Sequence, residues 1–300
     1  MKLKISLRPL LLGALAIGRA HAASGPFALW HADGNADDSA GTNNGALFNG
    51  TAFFQGIAPG STGQAFDFDG GDDEVHFPNP SLPIVTDGLT VVGWMRTTGT
   101  ADFSGLVVKF SQVGSNSGFQ VVMSGNNGFP GNRRGILRAD FGTGTAYSVV
   151  VNPKQVDDGI PHHFAATCDG QSATIYVDGE PGPSAVLSGW IPNNADIITL
   201  GNDAGVDGRH FHGQLDEIAI YQRVLDAQEI AALAGKPVLQ IVPGPAGQAI
   251  VSWPAAVVGF HLQVNETLAA NGWIDVPSGA ENPTTVSTDN GAHWYRLANP

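Results

Sequence analysis

Residues 211–233, FHGQLDEIAIYQRVLDAQEIAAL, read as a β-strand that runs into a short helix. Side chains alternate between the two faces of a strand, so Asp216 is expected to share a face with Ile218 and Ile220. The apolar character of that face predicts that it is buried. A buried carboxylate is costly unless a partner compensates its charge. The first question that the sequence raises is therefore what holds Asp216.

Short strand-like segments fill most of residues 23–235. They are rich in Val, Ile, Thr and aromatic residues, and Gly, Asn, Asp or Pro bounds them. The segments are 89–96, 106–110, 119–123, 135–141, 147–151, 162–168, 173–178 and 197–201. The Asp-Gly pair in VDGE at 177–180 predicts a hairpin turn. A capping-box spacing between Asp226 and Glu229 predicts a helix over residues 226–234. Many strands with so little helix predict an all-β sandwich or barrel.

The first 22 residues have the features of a cleaved secretory signal peptide. Lys2, Lys4 and Arg8 form a basic start, an apolar run of about ten residues follows, and residues 20–22, AHA, fit the cleavage rule. We therefore expect the protein to be secreted or held at the cell surface. No later segment is long and apolar enough for a transmembrane helix, so no membrane span is expected.

The charge of the chain excludes one class of partner. The chain has 14 basic and 27 acidic residues, a net charge of −13, and four of the basic residues lie in the predicted signal peptide. Removal of that peptide leaves 10 basic and 27 acidic residues, a net charge of −17. Binding to a phosphate backbone needs positive charge, so nucleic acid is not an expected partner. The negative net charge favours cations as partners.

The sequence has one cysteine, Cys168, at the end of the segment HHFAATC. A single cysteine cannot form an internal disulfide, even in the oxidising compartment to which a signal peptide leads. Cys168 alternates onto the same face as Phe164 and Ala166. This position predicts a buried structural thiol and not a catalytic nucleophile.

Residues 28–50, ALWHADGNADDSAGTNNGALFNG, resemble the opening of the laminin-G-like, concanavalin A-like jelly-roll domains of secreted bacterial proteins. The shared features are an aromatic residue, an Asp-Gly-Asn turn, an Asp-Ser-x-Gly element and an Asn-Gly pair. Four more landmarks follow in the family's order, at 63–78, 89–96, 161–180 and 211–233. The resemblance covers about 28–234 and implies two antiparallel sheets packed as a jelly-roll sandwich.

The pattern of the sequence changes after residues 234–237, AGKP. Residues 238–300 contain about six further strand candidates. The run WYRL at 294–297 makes this part resemble the fibronectin-III-like segments of surface proteins from environmental bacteria. We therefore expect a signal peptide at 1–22, a laminin-G-like jelly-roll domain at 23–235 and a small fibronectin-III-like β-sandwich at 236–300.

Concanavalin-like folds include glycoside hydrolases, which need two carboxylates across one cleft. The Glu-x-Asp-x-x-Glu strand motif of the glucanase branch is absent, and the chain has six glutamates. The sequence contexts of four of these glutamates explain them without catalysis, so Glu74 and Glu217 are the two that remain as catalytic candidates. No catalytic residue is therefore predicted. The expected function is non-enzymatic: an exported binding or adhesion protein that recognises glycan or extracellular protein ligands through its lectin-like domain.

Two alternatives to this function stay open at the level of sequence. The first is a glycan-cleaving enzyme, either a glycoside hydrolase or a polysaccharide lyase, with carboxylates outside the familiar motif. The second is a structural spacer in the cell envelope. Binding to a glycan array separates a binding protein from a spacer, and release of reducing ends from polysaccharides identifies an enzyme.

The need to compensate the charge of Asp216 points to a metal site. Its strand has no Lys or Arg, whereas the turn DGNADD at 33–38 offers carboxylate and amide oxygens. Calcium takes about six to eight such oxygens. In the jelly rolls that this chain resembles, the first and last strands lie side by side and calcium binds at their seam. We therefore predict a structural Ca²⁺ held by Asp33, Asn35, Asp38 and Asp216; the alternative is that Asp216 accepts backbone N–H bonds from the same turn.

Overall fold

A computed structural model describes residues 3–5, 25–77, 88–99, 101–111, 116–125, 134–187, 189, 194, 196–203, 208–236, 239–245, 247–253, 261–267, 272–277, 281–288 and 293–298. Most of the predicted signal peptide and Pro237 of the predicted linker lie outside these residues. The chain divides into two compact units. The larger is Ser24–Ile230, and the smaller combines Ala231–Pro300 with Met1–Ala23.

The described residues form 23 strands and one helix. The first strands are β1 (Leu3–Ile5), β2 (Ala28–Trp30), β3 (Ala46–Phe48), β4 (Ala52–Gln55), β5 (Gln64–Asp69), β6 (Glu74–Phe77), β7 (Leu89–Arg96), β8 (Gly105–Ser111), β9 (Ser117–Met123) and β10 (Ile136–Thr143). They are followed by β11 (Tyr147–Gln155), β12 (His162–Cys168), β13 (Ser172–Val177), β14 (Glu180–Pro181), β15 (Ala185–Val186), β16 (Ile198–Leu200), β17 (His212–Tyr221) and the helix α1 (Ala227–Leu233). The last strands are β18 (Gln240–Pro243), β19 (Gln248–Ser252), β20 (His261–Asn265), β21 (Ile274–Asp275), β22 (Thr284–Ser287) and β23 (His293–Ala298).

The larger unit is a sandwich of two antiparallel sheets. One sheet has the order β11-β10-β9-β8-β16-β6-β3, and the other has the order β14-β13-β12-β7-β17-β5-β4, with β2 and β15 attached to β17 and β13. One core of buried apolar side chains belongs to both sheets, with Phe68 and Phe164 from the second sheet and Phe119 and Phe141 from the first. This architecture confirms the predicted all-β jelly-roll sandwich, and the eight strand segments predicted from the sequence are all strands.

Strand β17 contains an irregularity that the sequence pattern did not predict. Its pairing register with β7 shifts between Asp216 and Ala219, and Glu217 has a positive φ of 50°. Leu215, Ile218 and Ile220 therefore all point into the core. Asp216 pairs with Trp94 of β7 and takes the opposite face. The expectation that Asp216 shares a face with Ile218 was wrong, because a β-bulge interrupts the strict alternation.

Local signals for the turn and the helix are confirmed. Asp178 and Gly179, with φ values of 49° and 73°, form the turn between β13 and β14, as the Asp-Gly pair predicts. The Asp226 carboxylate accepts the Glu229 N–H at 2.9 Å, and Glu229 in turn accepts the Asp226 N–H at 2.9 Å. This capping box starts α1, whose Ile230 packs on a small cluster that includes Val92. None of the helical structure described is long and apolar enough to cross a membrane.

Cys168 is buried in the main core together with Phe164 and Ala166, as its strand position predicted. Burial raises the pKa of its thiol to about 11. A thiol with so high a pKa is almost entirely protonated near neutral pH and is a poor nucleophile. Cys168 is therefore a packing residue.

The smaller unit contains two small antiparallel sheets, in the orders β1-β23-β20-β21 and β18-β19-β22. Val251, Trp253, Leu262 and Tyr295 are among the residues of its core. β1 comes from the predicted signal peptide and pairs with β23. The likeness of this unit to fibronectin-III segments and the boundary at residue 235 remain predictions.

We predict that residues 23–236 fold without the rest of the chain. The two large sheets, their shared core and α1 all lie within this span, so the shortened protein keeps the contacts that stabilise the sandwich. Thermal denaturation followed by circular dichroism should show one cooperative transition close to that of the full chain. A broad transition, or insoluble protein, would place essential contacts after residue 236.

Candidate functional site

Asp216 is fully buried, and its two carboxylate oxygens differ in their surroundings. Oδ2 accepts the backbone N–H groups of Ile57 at 2.8 Å and Ala58 at 3.1 Å. Oδ1 has no hydrogen-bond partner in the described part of the chain. Burial raises the pKa of Asp216, and the backbone N–H groups of Ala58, Ile57 and Glu217 oppose that shift. The donors thus come from residues 57–58 and not from the 33–38 turn that the sequence alternative named.

Asp33 contacts the other end of the segment that Asp216 holds. Its Oδ1 accepts the Gln64 N–H at 2.7 Å, and a β-carbon on Gly63 would lie only 1.9 Å from the same oxygen. Gly63 also accepts the N–H of Gly56, which closes residues 56–63 into a loop. Asp33 and Asp216 therefore hold the two ends of one loop. Among the other predicted ligands, Asn35 is exposed, and its Oδ1 accepts the Asp37 N–H at 2.9 Å.

Both carboxylate oxygens of Asp38 already accept hydrogen bonds from nearby N–H groups. Its Oδ1 accepts the N–H groups of Leu29, Ala40 and Gly41, each at 3.0 Å. Its Oδ2 accepts the Asn43 backbone N–H at 3.0 Å and the Asn43 side-chain amide at 2.8 Å. Although burial acts to raise it, these bonds hold the pKa of Asp38 below its usual value. Five donors already stabilise this carboxylate, whereas Asp216 keeps an unpaired oxygen.

The seam between β2 and β17 has the neighbours that the family resemblance implies. Trp30 of β2 pairs with Ile218 of β17. His31 contacts both carboxylate oxygens of Glu217 at 2.9 Å. Ala32 and Glu217 both have positive φ values, 61° and 50°, which are strained for residues other than glycine. Strained backbone therefore lies within β17 and two residues after β2, at the seam that holds Asp216.

In the described part of the chain, the group of three acidic side chains with convergent oxygens is Asp69, Asp72 and Asp73. The carboxylates of Asp33, Asp38 and Asp216 do not form such a group. Asp69 and Asp72 are exposed, and Asp73 accepts the Asp69 N–H. A cluster of acidic side chains that is mostly exposed does not by itself define a metal site.

The outer face of the seven-stranded sheet carries a second set of polar groups, which we call the polar strip. Its members alternate with core residues along β6, β9, β10 and β16, or directly follow β16, so they point away from the sandwich. They are Glu74, His76, Gln120, Arg138, Asp140, Thr199 and Asn202. Most of them are buried, which is unusual for polar groups on the outer surface of a sheet.

Two carboxylates organise the polar strip. Arg138 donates to both oxygens of Asp140, at 2.6 and 2.8 Å, and Gln120 Nε2 donates to Asp140 Oδ2 at 2.6 Å. Asn202 Nδ2 donates to Glu74 Oε1 at 2.5 Å, and the second oxygen of Glu74 contacts His76. The strip therefore contains two separate groups of charge-assisted hydrogen bonds, one around Asp140 and one around Glu74.

Three buried atoms of the polar strip have no hydrogen-bond partner among the described residues. They are Gln120 Oε1, Asn202 Oδ1 and Thr199 Oγ1. A buried polar atom without a partner costs about 1–3 kcal/mol, and such atoms are rare in native proteins unless water or a ligand satisfies them. Phe103 packs on Val108 and Val122 of the same face. The guanidinium groups of Arg138 and Arg209 lie 5.3 and 5.1 Å from its ring, so protein side chains cover part of the strip.

The polar strip was not predicted from the sequence, although a signal was present. In the segments FQVVM (119–123) and ILRADF (136–141), polar residues occupy alternate positions between core residues. That alternation predicts an outer face, but it does not tell how deeply the face is buried. Only the pairing of β9 with β10 brings Gln120 next to Asp140.

Comparison with known proteins agrees with this architecture. The laminin-G family model that describes the concanavalin A-like lectin/glucanase superfamily matches residues 69–231, more than half of the chain. The chain therefore belongs to this superfamily. No curated protein matches the chain by sequence.

Solved structures with the same fold include several binding domains. Domain 4 of AbnA, an extracellular arabinanase from Geobacillus stearothermophilus, in complex with arabinotriose, is 18% identical with a TM-score of 0.54, covering 69% of this chain and 97% of its own. The binding domain of Paraclostridial Mosquitocidal Protein 1 is 16% identical with a TM-score of 0.53, covering 88% and 71%. The botulinum neurotoxin serotype D ligand-binding domain, in complex with N-acetylneuraminic acid, is 13% identical with a TM-score of 0.53, covering 84% and 68%. At these identities the likeness shows the fold.

We predict that two buried threonines respond in opposite ways to replacement by valine. Thr199→Val removes an unpaired hydroxyl, so the free energy of unfolding should stay the same or rise by about 1 kcal/mol. Thr90 donates to the Arg223 carbonyl at 2.8 Å and accepts the Leu225 N–H at 2.9 Å. Thr90→Val should therefore lower the free energy of unfolding by about 2 kcal/mol. Urea denaturation measures both; equal losses would mean that Thr199 has a tightly held partner, such as an ordered water.

Proposed function

We propose that the protein is an exported, non-enzymatic glycan-binding protein whose ligand lies on the outer face of the seven-stranded sheet. The observation that carries the proposal is the pair of exposed aromatic side chains at the two edges of this face, Phe48 and Tyr147. Sugars pack their apolar faces on exposed aromatic rings, and their hydroxyl groups bond polar side chains directly or through water. The fold supports this assignment, since structures that share it include carbohydrate complexes.

Aromatic side chains flank the polar strip. Phe48 on β3 is partly exposed and lies against His76, with ring centroids 4.2 Å apart. At the opposite edge, half-exposed Tyr147 on β11 contacts Phe110, with centroids 6.3 Å apart. Six strand spacings separate β3 from β11, which is about 29 Å. Apolar rings around a few fixed polar groups are typical of ligand sites, and the length suits an extended chain of sugars.

The arrangement of carboxylates favours binding over hydrolysis. Glu74 and Asp140 share the face, but four strand spacings, about 19 Å, separate their strands. Glycosidases place their two carboxyl groups about 5–10 Å apart. Glu217, the other glutamate that the sequence left open, belongs to the opposite sheet and contacts His31. A glycan-cleaving enzyme is therefore the weaker alternative, and a glycan array separates the proposed function from a cell-envelope spacer or a receptor for protein ligands.

We predict that the full chain binds glycans on an array and that the exposed rings at the edges of this face contribute to the affinity. Phe48→Ala and Tyr147→Ala should each weaken binding of the best array ligand about tenfold, because each removes an exposed ring on which a sugar can pack. Phe54→Ala is the matched control, since Phe54 lies on β4 of the other sheet and is exposed to a similar extent. Isothermal titration calorimetry measures the dissociation constants. Equal affinities for all four proteins would move the site away from this face.

We also propose that a structural calcium ion binds at the seam of β2 and β17, with Asp216 and Asp33 as its principal ligands. The unpaired Oδ1 of buried Asp216 fits a cation, and the strained residues Ala32 and Glu217 lie beside it. Asn35 is the next candidate ligand. Asp38 is the weakest of the four, because its oxygens already accept five hydrogen bonds.

We predict that EDTA lowers the melting temperature of the protein and that added Ca²⁺ restores it. An ion that binds only the folded state stabilises it by about 2.7 kcal/mol at a hundredfold excess over its dissociation constant. Asp216→Asn should abolish most of this response. Asp38→Asn should lower the melting temperature with and without calcium, and Asp275→Asn is the control for loss of one acidic side chain. A melting temperature indifferent to EDTA, in protein shown by elemental analysis to be metal-free, contradicts the calcium proposal.

A further inference from the structure

Arg296, on β23 of the smaller unit, has no acidic partner among the described residues. The structure describes six arginines, and four of them form ion pairs with an Asp or Glu, namely Arg134, Arg138, Arg209 and Arg223. Arg96 and Arg296 are held by glutamine side chains instead. An arginine that no acid neutralises can pair with an anionic group on a ligand.

The neighbours of Arg296 fix its guanidinium group. Arg296 Nε donates to Gln263 Oε1 at 2.8 Å, and Gln263 Nε2 donates to Asp275 Oδ1 at 2.8 Å. The guanidinium also lies over the ring of Trp273, 4.5 Å from the ring centroid. Only Nε bonds a described residue, so the two terminal nitrogens are left for a ligand. Their planar fork matches the two oxygens of a carboxylate.

These side chains lie on the outer face of the sheet β1-β23-β20-β21, where a ligand can reach them. Gln263 of β20 pairs with both Arg296 of β23 and Asp275 of β21, so the three are cross-strand neighbours. Tyr295, next to Arg296 in the sequence, belongs to the core and points the other way. Arg296, Gln263 and Trp273 are partly exposed, and Asp275 is exposed.

Arg96 of the larger unit has a similar setting with more negative charge around it. Its Nε donates to Gln214 Oε1 at 2.9 Å, and Gln214 contacts Asp67. Asp67 is followed by a cluster of three acids, Asp69, Asp72 and Asp73. In the smaller unit, β20, β21 and β23 carry one acid, Asp275, which also contacts His261 at 2.9 Å. An anion is therefore favoured beside Arg296 and disfavoured beside Arg96.

We propose that this face of the smaller unit is a second ligand site and that it binds the carboxylate of an acidic sugar. The terminal nitrogens of Arg296 bond the two carboxylate oxygens. Trp294 is partly exposed and shares the face, two residues before Arg296 on β23. Indole rings are surfaces on which sugars pack, which favours a glycan over an acidic peptide. The site goes beyond the function proposed above, because it belongs to the other unit and takes a charged ligand.

The first test needs no variant. The full chain is applied to an array of neutral and carboxylated glycans, and the strongest carboxylated ligand is titrated by calorimetry as the free acid and as its methyl ester. We expect the ester to bind about tenfold or more weakly, because esterification removes the charge that Arg296 pairs. An array without carboxylated ligands, or an ester that binds as tightly as the acid, overturns this inference. Neutral glycans that still bind in either case leave the function proposed above intact.

Variants of Arg296 test the assignment of the carboxylate to this residue. Arg296→Gln should bring the affinities for acid and ester to within about twofold, and Arg296→Lys should keep part of the difference, since an ammonium has the charge but not the planar fork. Arg134→Gln is the matched control, because Arg134 already pairs with Asp102. The native ratio in Arg296→Gln contradicts the site, and an equal fall in Arg134→Gln reduces it to net charge. A glutamate-rich peptide that binds through Arg296 as tightly as the glycan overturns the assignment to sugars.

Discussion

The larger unit depends on the pairing of β17 with three other strands. On one side β17 follows β7 along most of its length, and on the other side it pairs first with β5, through residues 212–215, and then with β2, through residues 218–220. Asp216 and Glu217 lie where the partner changes from β5 to β2. A backbone at such a junction loses its regular neighbour, and the bulge with its positive φ accommodates the change. Asp216 then bonds the loop at 57–58 and ties it to the junction.

Buried carboxylates recur in this acidic chain, and most of them are held by N–H groups and not by basic side chains. Asp216 accepts two backbone amides, and Asp38 accepts five N–H groups. Glu74 is held by the amide of Asn202 and by His76. With so few lysines and arginines in the sequence, backbone and side-chain amides are the available donors. Each such carboxylate also fixes the geometry of the group that donates to it.

The polar strip illustrates the cost of burying polar groups. Three buried unpaired atoms destabilise the folded chain, and the large apolar core between the two sheets offsets that cost. Phe103 packs on the same face and lies 5.3 Å from the guanidinium of Arg138, so protein side chains cover part of the strip. Asp140 and Glu74 make the strip rigid, since each carboxylate holds an amide in one orientation.

The sequence by itself determined the local structure of this protein. Alternation, turn residues and the capping box predicted the strands, the Asp178-Gly179 turn and α1, and the ordered landmarks predicted the jelly roll. Cys168 was placed in the core correctly for the same reason, because its environment follows from the period of one strand. The candidate sites were less accessible: the sequence identified Asp216 as a buried carboxylate but gave it the wrong face and the wrong hydrogen-bond donors. Only the tertiary structure decided that the register shifts at Asp216, that residues 57–58 hold its carboxylate, and that Gln120, Thr199 and Asn202 share one buried surface. Those features depend on contacts between strands that are far apart in the chain, and the pattern within a single strand does not encode which neighbour it will meet.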